Sequence, residues 1–535
     1  IDQEDIIAHH IYINTKGLEG RRHPLYKYNE QNPQYPIQKF LTTNEMLKQF
    51  EFLNSEKLIQ EIVVDNTITF DSLIEDNIEI IKSKLYPPTF DNSQEKLQNL
   101  VIQNAHKIYG KELPDIIKKR IDKELEPINK YGFSVIYWIS HKLVQKSLND
   151  GYLVGSRGSV GSSIVATLSK ITEVNPLSPH YICYQCNYNE FVENPSTTSG
   201  FDLEDKLCPN CSTNLHKDGQ TIPFETFLGF DGDKVPDIDL NFSGEYQPII
   251  HEEVRKIFGA TRTFRAGTIS TVASKTAFGF VKKYFEDNKI EKSNIYINFL
   301  AQKIEGSKRT TGQHPGGIVI IPQEFDVEDF TPVNYPANDV ASAWRTTHFD
   351  FHAIHDNILK LDLLGHDDPT VIKLLQEWTK VKIEDISFSD KKVLELFSST
   401  KPLGIEPKDI NNEQTGVLGI PEFGTKFVRK MLKVAKPASF NDLINISGLS
   451  HGTNVWNGNA EDLIKQGKKL NEVISCRDDI MVYLMKKGVD PSSSFQIMEK
   501  VRKGKGLTPE DEKLLKENGI ESWYINSLNK IKYMF

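Results

Sequence analysis

Three aspartates, two glycine-containing segments and four cysteines are the residues whose types and spacing could do chemistry. In "KVPDIDLNF" the residues alternate, so Asp237 and Asp239 project from one face of a strand and Ile238 and Leu240 from the other. Carboxylates one strand step apart, about 7 Å, repel unless cations lie between them. Magnesium suits such a site, because it takes oxygen ligands and bridges carboxylates to substrate phosphates. A solvated strand end is the bland reading of a bare D-x-D. In "NILKLDLLG", Lys360 and Asp362 share one strand face, and Leu359, Leu361 and Leu363 share the other. Alone, that pattern reads as a structural ion pair. Joined to Asp237 and Asp239 on a neighbouring strand, Asp362 would complete a three-carboxylate site for two metals, with Lys360 placed to neutralise a phosphate. Such a site suits in-line displacement at phosphorus.

The stretch "LVGSRGSVGSS" (153–163) is a candidate phosphate cradle. It is not a P-loop, because Gly161 is followed by Ser162 where a lysine is required, and it does not fit G-x-G-x-x-G. Gly155, Gly158 and Gly161 still allow amides to converge on an anion, Ser159 and Ser162 add hydroxyl donors, and Arg157 supplies fixed charge. The following "IVATLSKI" reads as a helix, which sets the loop at a helix N-terminus and weakens the alternative of a flexible linker. In "SKRTTGQHPGGIVIIP", Lys308, Arg309 and His314 could meet a nucleotide or template strand; a turn shaped by Gly316 and Gly317 is equally compatible. In "WRTTHFDFHAIHD", His348, Asp350 and His352 share a strand face, with His355 and Asp356 following, which leaves a hydrolase metal site as a rival. The alternation more simply leads into the strand bearing Asp362, and Arg345 adds positive charge. "CYQC" (Cys183, Cys186) and "CPNC" (Cys208, Cys211) have the two-knuckle spacing of a tetrahedral thiolate site. Four thiolates leave no open position, so the expected zinc ion is structural. Cys476 stands apart and reads as inert.

These residues need elements to position them. Residues 1 to about 75 mix polar loops such as "KYNEQNPQYP" with short apolar runs, and His9, His10 and His23 read as surface histidines. The segment "FDNSQEKLQNLVIQNAHKIYG" predicts a helix with an Asn92/Glu95 capping box, a stripe through Leu97, Leu100, Val101, Ala105 and Ile108, and a stop at Gly110. Helical stretches through "LPDIIKKRIDKELEPINKYG" and "FSVIYWISHKLVQKSL" deliver the glycine-serine loop. Residues 183–211 read as a cysteine-bearing insertion, 251–315 as helical and basic in patches, "GGIVIIP" as a buried strand, and the last 165 or so residues as largely helical. A chain of 535 residues implies three or four units. With 38% apolar and 26% charged residues and no run of about 18 apolar residues, a soluble protein is expected. The net charge of −9 speaks only mildly against nucleic acid, since an acidic centre can sit beside a basic groove. Five cysteines, four of them in knuckles, point to a reducing compartment. The start at Ile1, with no signal peptide, and the abrupt end at Phe535 suggest a piece of something larger.

In order along the chain, "GYLVGSRGSVGSS", the two knuckles, "FLGFDGDKVPDIDLNFSGEYQP", "RTTGQHPGGIVI", "WRTTHFDFHAIHDNILKLDLLGHDDPT", "IPEFGTKFVRKML" and "SGLSHGTNVW" resemble the catalytic core of replicative DNA polymerase III alpha subunits of the Gram-positive PolC type. The resemblance covers nearly the whole chain. It implies an α+β multidomain fold: a beta-type nucleotidyltransferase-like palm with a mixed sheet, a helical thumb insertion, largely helical fingers and a small zinc-knuckle insertion. The implied boundaries are a PHP-domain remnant at 1–80, palm at 81–267 with the zinc insertion at 181–215, thumb at 268–314, palm again at 315–370, and truncated fingers at 371–535. It implies that Asp237, Asp239 and Asp362 bind two magnesium ions and that Arg157, Gly158 and Ser159 hold the incoming triphosphate. Lys360 would help neutralise it, with Gly161, Ser162, His314 and Arg345 completing the nucleotide-binding set. The implied activity is template-directed DNA synthesis in the cytoplasm, on primer-template DNA with deoxynucleoside triphosphates. A sliding clamp and other replisome subunits would bind through regions absent here. The alternatives are a template-independent nucleotidyltransferase and an inactive nucleic-acid-binding piece. His9 and His10 do not fall on the PHP metal positions.

Overall fold

The computed structural model describes residues 3–15, 40–79, 81–82, 84–193, 195, 197–230, 234–336, 339–354 and 357–534. His23, the polar stretch 27–36, His355 and Asp356 lie outside them. The chain forms two compact units, Ile1–Tyr86 with Ala260–Lys360, and Pro87–Gly259 with Leu361–Phe535. Ten strands lie among the described residues: β1 (Gly155–Arg157), β2 (His180–Ile182), β3 (Asn189–Phe191), β4 (His216–Asp218), β5 (Asp239–Ser243), β6 (Thr263–Thr271), β7 (Lys308–Ile320), β8 (Val333–Asn334), β9 (Thr346–Asp350) and β10 (Leu359–His366). No helix among these residues is long and apolar enough to cross a membrane.

In the first unit the strand order is β7-β6-β9-β8, with β6 antiparallel to β7 and parallel to β9. Phe264, Ala266, Val319 and Ile321 from the paired strands meet Phe330, Phe351 and Ile358 in one apolar core. Gly267 is required at the β6–β9 approach, because a Cβ there would lie 2.1 Å from the Thr347 carbonyl oxygen. A second core joins the helices Gln3–Asn14, Ser274–Asp287 and Asn294–Ile304 through Ala8, Ile11, Ala277, Val281 and Leu300. His10 meets Tyr284 edge-on at 5.7 Å in that packing. The expectation of a helical 251–315 is corrected in part: the helices Gln247–Phe258, Ser274–Asp287 and Asn294–Ile304 are present, but β6 and the front of β7 form a long antiparallel ribbon. The ribbon's outer residues are polar on both faces, so no alternation of apolar residues announces it. The alternative of a turn at Gly316 and Gly317 does not hold, since β7 runs continuously there and a Cβ on Gly317 would meet the Phe351 ring and Ala266 at 2.8 to 2.9 Å.

In the second unit β5 lies between antiparallel β1 and parallel β10, a mixed arrangement backed by helices. The helix Ser93–Tyr109 buries Leu97, Val101, Ala105 and Tyr109, and Gly110 ends it at φ +95°. The Asn92/Glu95 capping box does not form: Asn92 adopts the left-handed conformation at φ +53°, and its side chain accepts no capping hydrogen bond. A separate antiparallel sheet, β3-β2-β4, carries the cysteines. Beyond β10 the chain is helical around one core that includes Met431, Ile446, Met481, Leu484, Met498 and Val501. Ser439 and Thr508 form the reciprocal caps that start two of those helices.

Candidate active site

The pairing of three strands aligns the acidic residues. Arg157 on β1 is in register with Asp239 on β5, and Asp239 with Asp362 on β10. Along β5, Leu240 and Phe242 are buried while Asp239 and Asn241 reach the half-exposed face; along β10, Leu361 and Leu363 are buried while Asp362 is not. Asp237 lies just ahead of β5 and is exposed, with Ile238 buried behind it, so the expected alternation holds although the ladder starts at Asp239. His251 Nε2 and Gln247 Nε2 bond the Leu363 carbonyl at 3.2 and 2.7 Å, which fixes the strand that bears Asp362.

Burial, then the charges of Asp237 and Asp362, push the Asp239 carboxyl up to about 7, while Arg157 pulls it down. Arg157 Nε stands 3.8 Å from Asp239 Oδ2. Among the described residues the four cysteines gather ligand atoms within 4.8 Å of one another, and the three carboxylates form no such group. Burial is the larger cause of the raised pKa, and repulsion from Asp237 and Asp362 adds to it. The donor set is all oxygen and electrostatically coupled, which fits a magnesium site.

The glycine-serine loop divides into two parts. Gly155, Arg157 and Gly158 are exposed, and Gly158, at φ +77°, passes close enough that a Cβ would contact Asp239 Oδ2 at 3.8 Å. From Val160 onward the loop turns inward. Gly161 lies against Val174, and Ser162, 1% exposed, donates from Oγ to the Ser159 carbonyl at 2.6 Å. The helix that follows, Ile164–Leu168, does not present its N-terminus to a ligand: the buried Glu124 carboxylate accepts from the Ile164 and Val165 amides, each at 3.1 Å. An anion at this loop therefore meets residues 155–159, and Gly161 and Ser162 shape the turn from within.

Three further candidates belong to the first unit. Lys360, its last residue, donates to the Phe351 carbonyl at 3.0 Å and lies 3.7 Å from the centre of the Phe351 ring. His314 stacks on the same ring at 4.2 Å. Arg345 packs over Phe264 at 4.8 Å. The rival metal site is not assembled among the described residues: Asp350 accepts from the Ile269 and His352 amides at 2.8 and 2.9 Å, and His348 Nδ1 bonds Asn334.

The cysteines of the knuckles do converge. Sulfur separations of 3.4 Å for Cys183 and Cys211, 3.5 Å for Cys186 and Cys208, and 3.8 Å for Cys186 and Cys211 match the roughly 3.8 Å edge of a tetrahedron with metal–sulfur bonds of about 2.3 Å. These four residues could hold a metal ion. Phe201, beyond the knuckle strands, contacts Phe388 and Phe440, and Asp202 accepts from the Phe440 and Asn441 amides at 2.7 and 2.8 Å. The cysteine module is thereby tied to the helical segment after β10.

Sequence reasoning missed a group of cations around Lys234. Desolvation and the neighbouring Arg477 lower the Lys234 pKa, Arg502 presses the same way, and Glu499 and Asp237 oppose them. Lys234 stands beside the P-D-I-D motif in the sequence, but Arg477 and Arg502 lie 243 and 268 residues on and carry no local signal. The Arg120–Glu124 pair was also missed, because R-x-x-x-E on a helix reads as a surface pair.

Against this geometry, comparison with known proteins is decisive. The family model described as bacterial DNA polymerase III alpha NTPase domain matches residues 95–297 and 286–365. The chain belongs to the bacterial DNA polymerase III alpha family. The finger-domain model of the same subunit matches 368–521, beginning just past β10. A protein named DNA polymerase III PolC-type from Mycoplasmopsis pulmonis is 63% identical over 531 residues, covering 99% of this chain and 37% of that protein. The proteins of the same name from Bacillus subtilis and Listeria monocytogenes are 55% and 54% identical, each over 100% of this chain and 36% of their own length. The chain thus spans little more than a third of these polymerase III relatives.

Proposed function

We propose that this chain is the catalytic core of a template-directed DNA polymerase, which extends a primer 3′-hydroxyl by attack on the α-phosphate of a deoxynucleoside triphosphate and releases pyrophosphate. The observation that carries the reading is the row Arg157–Asp239–Asp362, a cation and two carboxylates in register on three paired strands, with Gly158 passing over Asp239. Asp237, Asp239 and Asp362 would hold two magnesium ions. When bound, magnesium supplies charge neutralisation at the reacting phosphate and activation of the attacking hydroxyl.

The chain's own residues do the rest. Arg157, with the backbone at Gly158 and Ser159, orients the triphosphate, and Gly161 and Ser162 hold that turn from inside. Lys360, two residues before Asp362 on β10, offsets phosphate charge, and Lys234 adds a cation beside Asp237. Zinc on Cys183, Cys186, Cys208 and Cys211 has a structural role only. The functional division is a PHP remnant at 1–80, palm at 81–267 and 315–370, thumb at 268–314 and fingers from 371. Primer-template DNA and nucleotides are the partners of this core in the cytoplasm, and the clamp and other replisome subunits bind elsewhere on the longer protein.

Primer extension by the full-length protein, with and without added template, tests the reading. The product sequence is expected to follow each template supplied; equal incorporation without template would replace it with a template-independent nucleotidyltransferase.

A further inference from the structure

A carboxylate buried beneath the glycine-serine loop is not used by the chemistry above. Glu124, on the helix Asp115–Lys130, is 0% exposed. Its two oxygens accept from Arg120 Nε at 2.6 Å, Ser163 Oγ at 2.8 Å and the Ile164 and Val165 amides at 3.1 Å. Ser163 Oγ in turn accepts from the Ala166 amide at 3.1 Å, so the first three amides of the short helix are all taken. Arg120 completes the arrangement by donating from Nη2 to the Ser162 carbonyl at 2.7 Å and the Ile222 carbonyl at 3.0 Å. Ser162 closes the loop that begins at Arg157, and Ile222 lies on the segment that runs through Glu225–Leu228 toward Asp237.

A buried ion pair must first overcome the desolvation of both charges, and an apolar pair of similar volume would often be as stable. Stability alone therefore gives no reason for this pair. What an apolar pair could not do is accept from two backbone amides while donating to two carbonyls of separate segments.

We propose that Glu124 and Arg120 are positioning residues for the incoming nucleotide: by fastening Ser162–Val165 to Ile222 they hold Arg157, Gly158 and Ser159 at a fixed height over Asp239. The proposal rests on the reading that this loop binds the triphosphate. The pair touches neither substrate nor metal. Its loss loosens the cradle and leaves the carboxylates and the β5–β10 register in place. The loop meets phosphate and not base, so the effect is the same for all four nucleotides.

The test is steady-state primer extension by full-length Glu124→Gln, with primer–template affinity measured by fluorescence anisotropy on the same preparation. The amide keeps the volume but places a donor where one carboxylate oxygen accepted. We expect the nucleotide KM to rise about tenfold to a hundredfold for each nucleotide, with kcat changed far less and primer–template Kd unchanged. If Glu124→Gln does not fold, Ser163→Ala removes one of the Glu124 bonds at lower cost and is expected to shift KM in the same direction by a smaller factor. A fall in kcat at unchanged nucleotide KM is what a merely structural role produces through a smaller active fraction, and it would overturn the proposal. Wild-type enzyme in the same assay separates the two readings. Template-directed extension by wild type with unchanged KM in the variants removes only the positioning role, whereas no template-directed extension by wild type removes the reading beneath it.

Discussion

Asp239 is the residue on which charge and burial compete most directly. Its carboxyl is raised to about 7 because burial and two neighbouring carboxylates disfavour the anion. The sign follows: relative to an unfolded carboxyl near 3.9, the folded chain is penalised as pH rises through that range, and the penalty is complete above about 7. In magnesium-free buffer, Asp239→Asn is therefore expected to raise the thermal midpoint at pH 8 by a few degrees and to leave it nearly unchanged at pH 4; calorimetry at the two pH values checks this. For wild type, the magnesium concentration giving half-maximal extension should increase as pH falls below 7, since protons and magnesium compete for the same anion. An unchanged requirement between pH 8 and 6 would contradict that. The three aspartates were legible because alternation on an apolar strand makes a charged residue conspicuous. Glu124 was not, since nothing in "KKRIDKELE" distinguishes a carboxylate that faces a loop some 40 residues away from one that faces water.

At the level of elements, periodic segments could be read and reciprocal contacts could not. The stripe from Leu97 to Ala105 and the stop at Gly110 were visible, whereas the Asn92 cap depended on a backbone conformation that residue types do not dictate. The β6–β7 ribbon was read as helical because its polar residues hide the two-residue period. Gly317, on β7, is a tight point of that pairing against a side chain. Gly317→Ala would drive a methyl into Phe351, the ring on which His314 stacks and over which Lys360 lies, and should cost about 1–3 kcal/mol in denaturant unfolding. Wild-type stability would show that the strand relaxes freely there. The cysteine module was the most legible element, since a paired-knuckle spacing has few other uses. Cys183→Ser should lower bound zinc, measured by atomic absorption, from one equivalent per chain and lower the thermal midpoint. One full equivalent retained with unaltered stability would remove the structural zinc.

For the whole molecule, composition was the least informative level. A net charge of −9 says little about a chain in which opposite charges gather locally, as Asp237 and Glu499 with Arg477 and Arg502 do around Lys234. The site is assembled from segments more than 200 residues apart, Arg157 from one side of a long excursion and Asp362 from the other, and only the strand register brings them into a row. Mutual dependence of that kind is stated nowhere in a local stretch of sequence. Replacing Asp239 by Asn in the full-length polymerase alters one oxygen at the centre of the row while keeping its shape. Primer extension should fall by about a thousandfold or more, with primer–template Kd within about twofold of wild type; extension at the wild-type rate would contradict the assignment of the site.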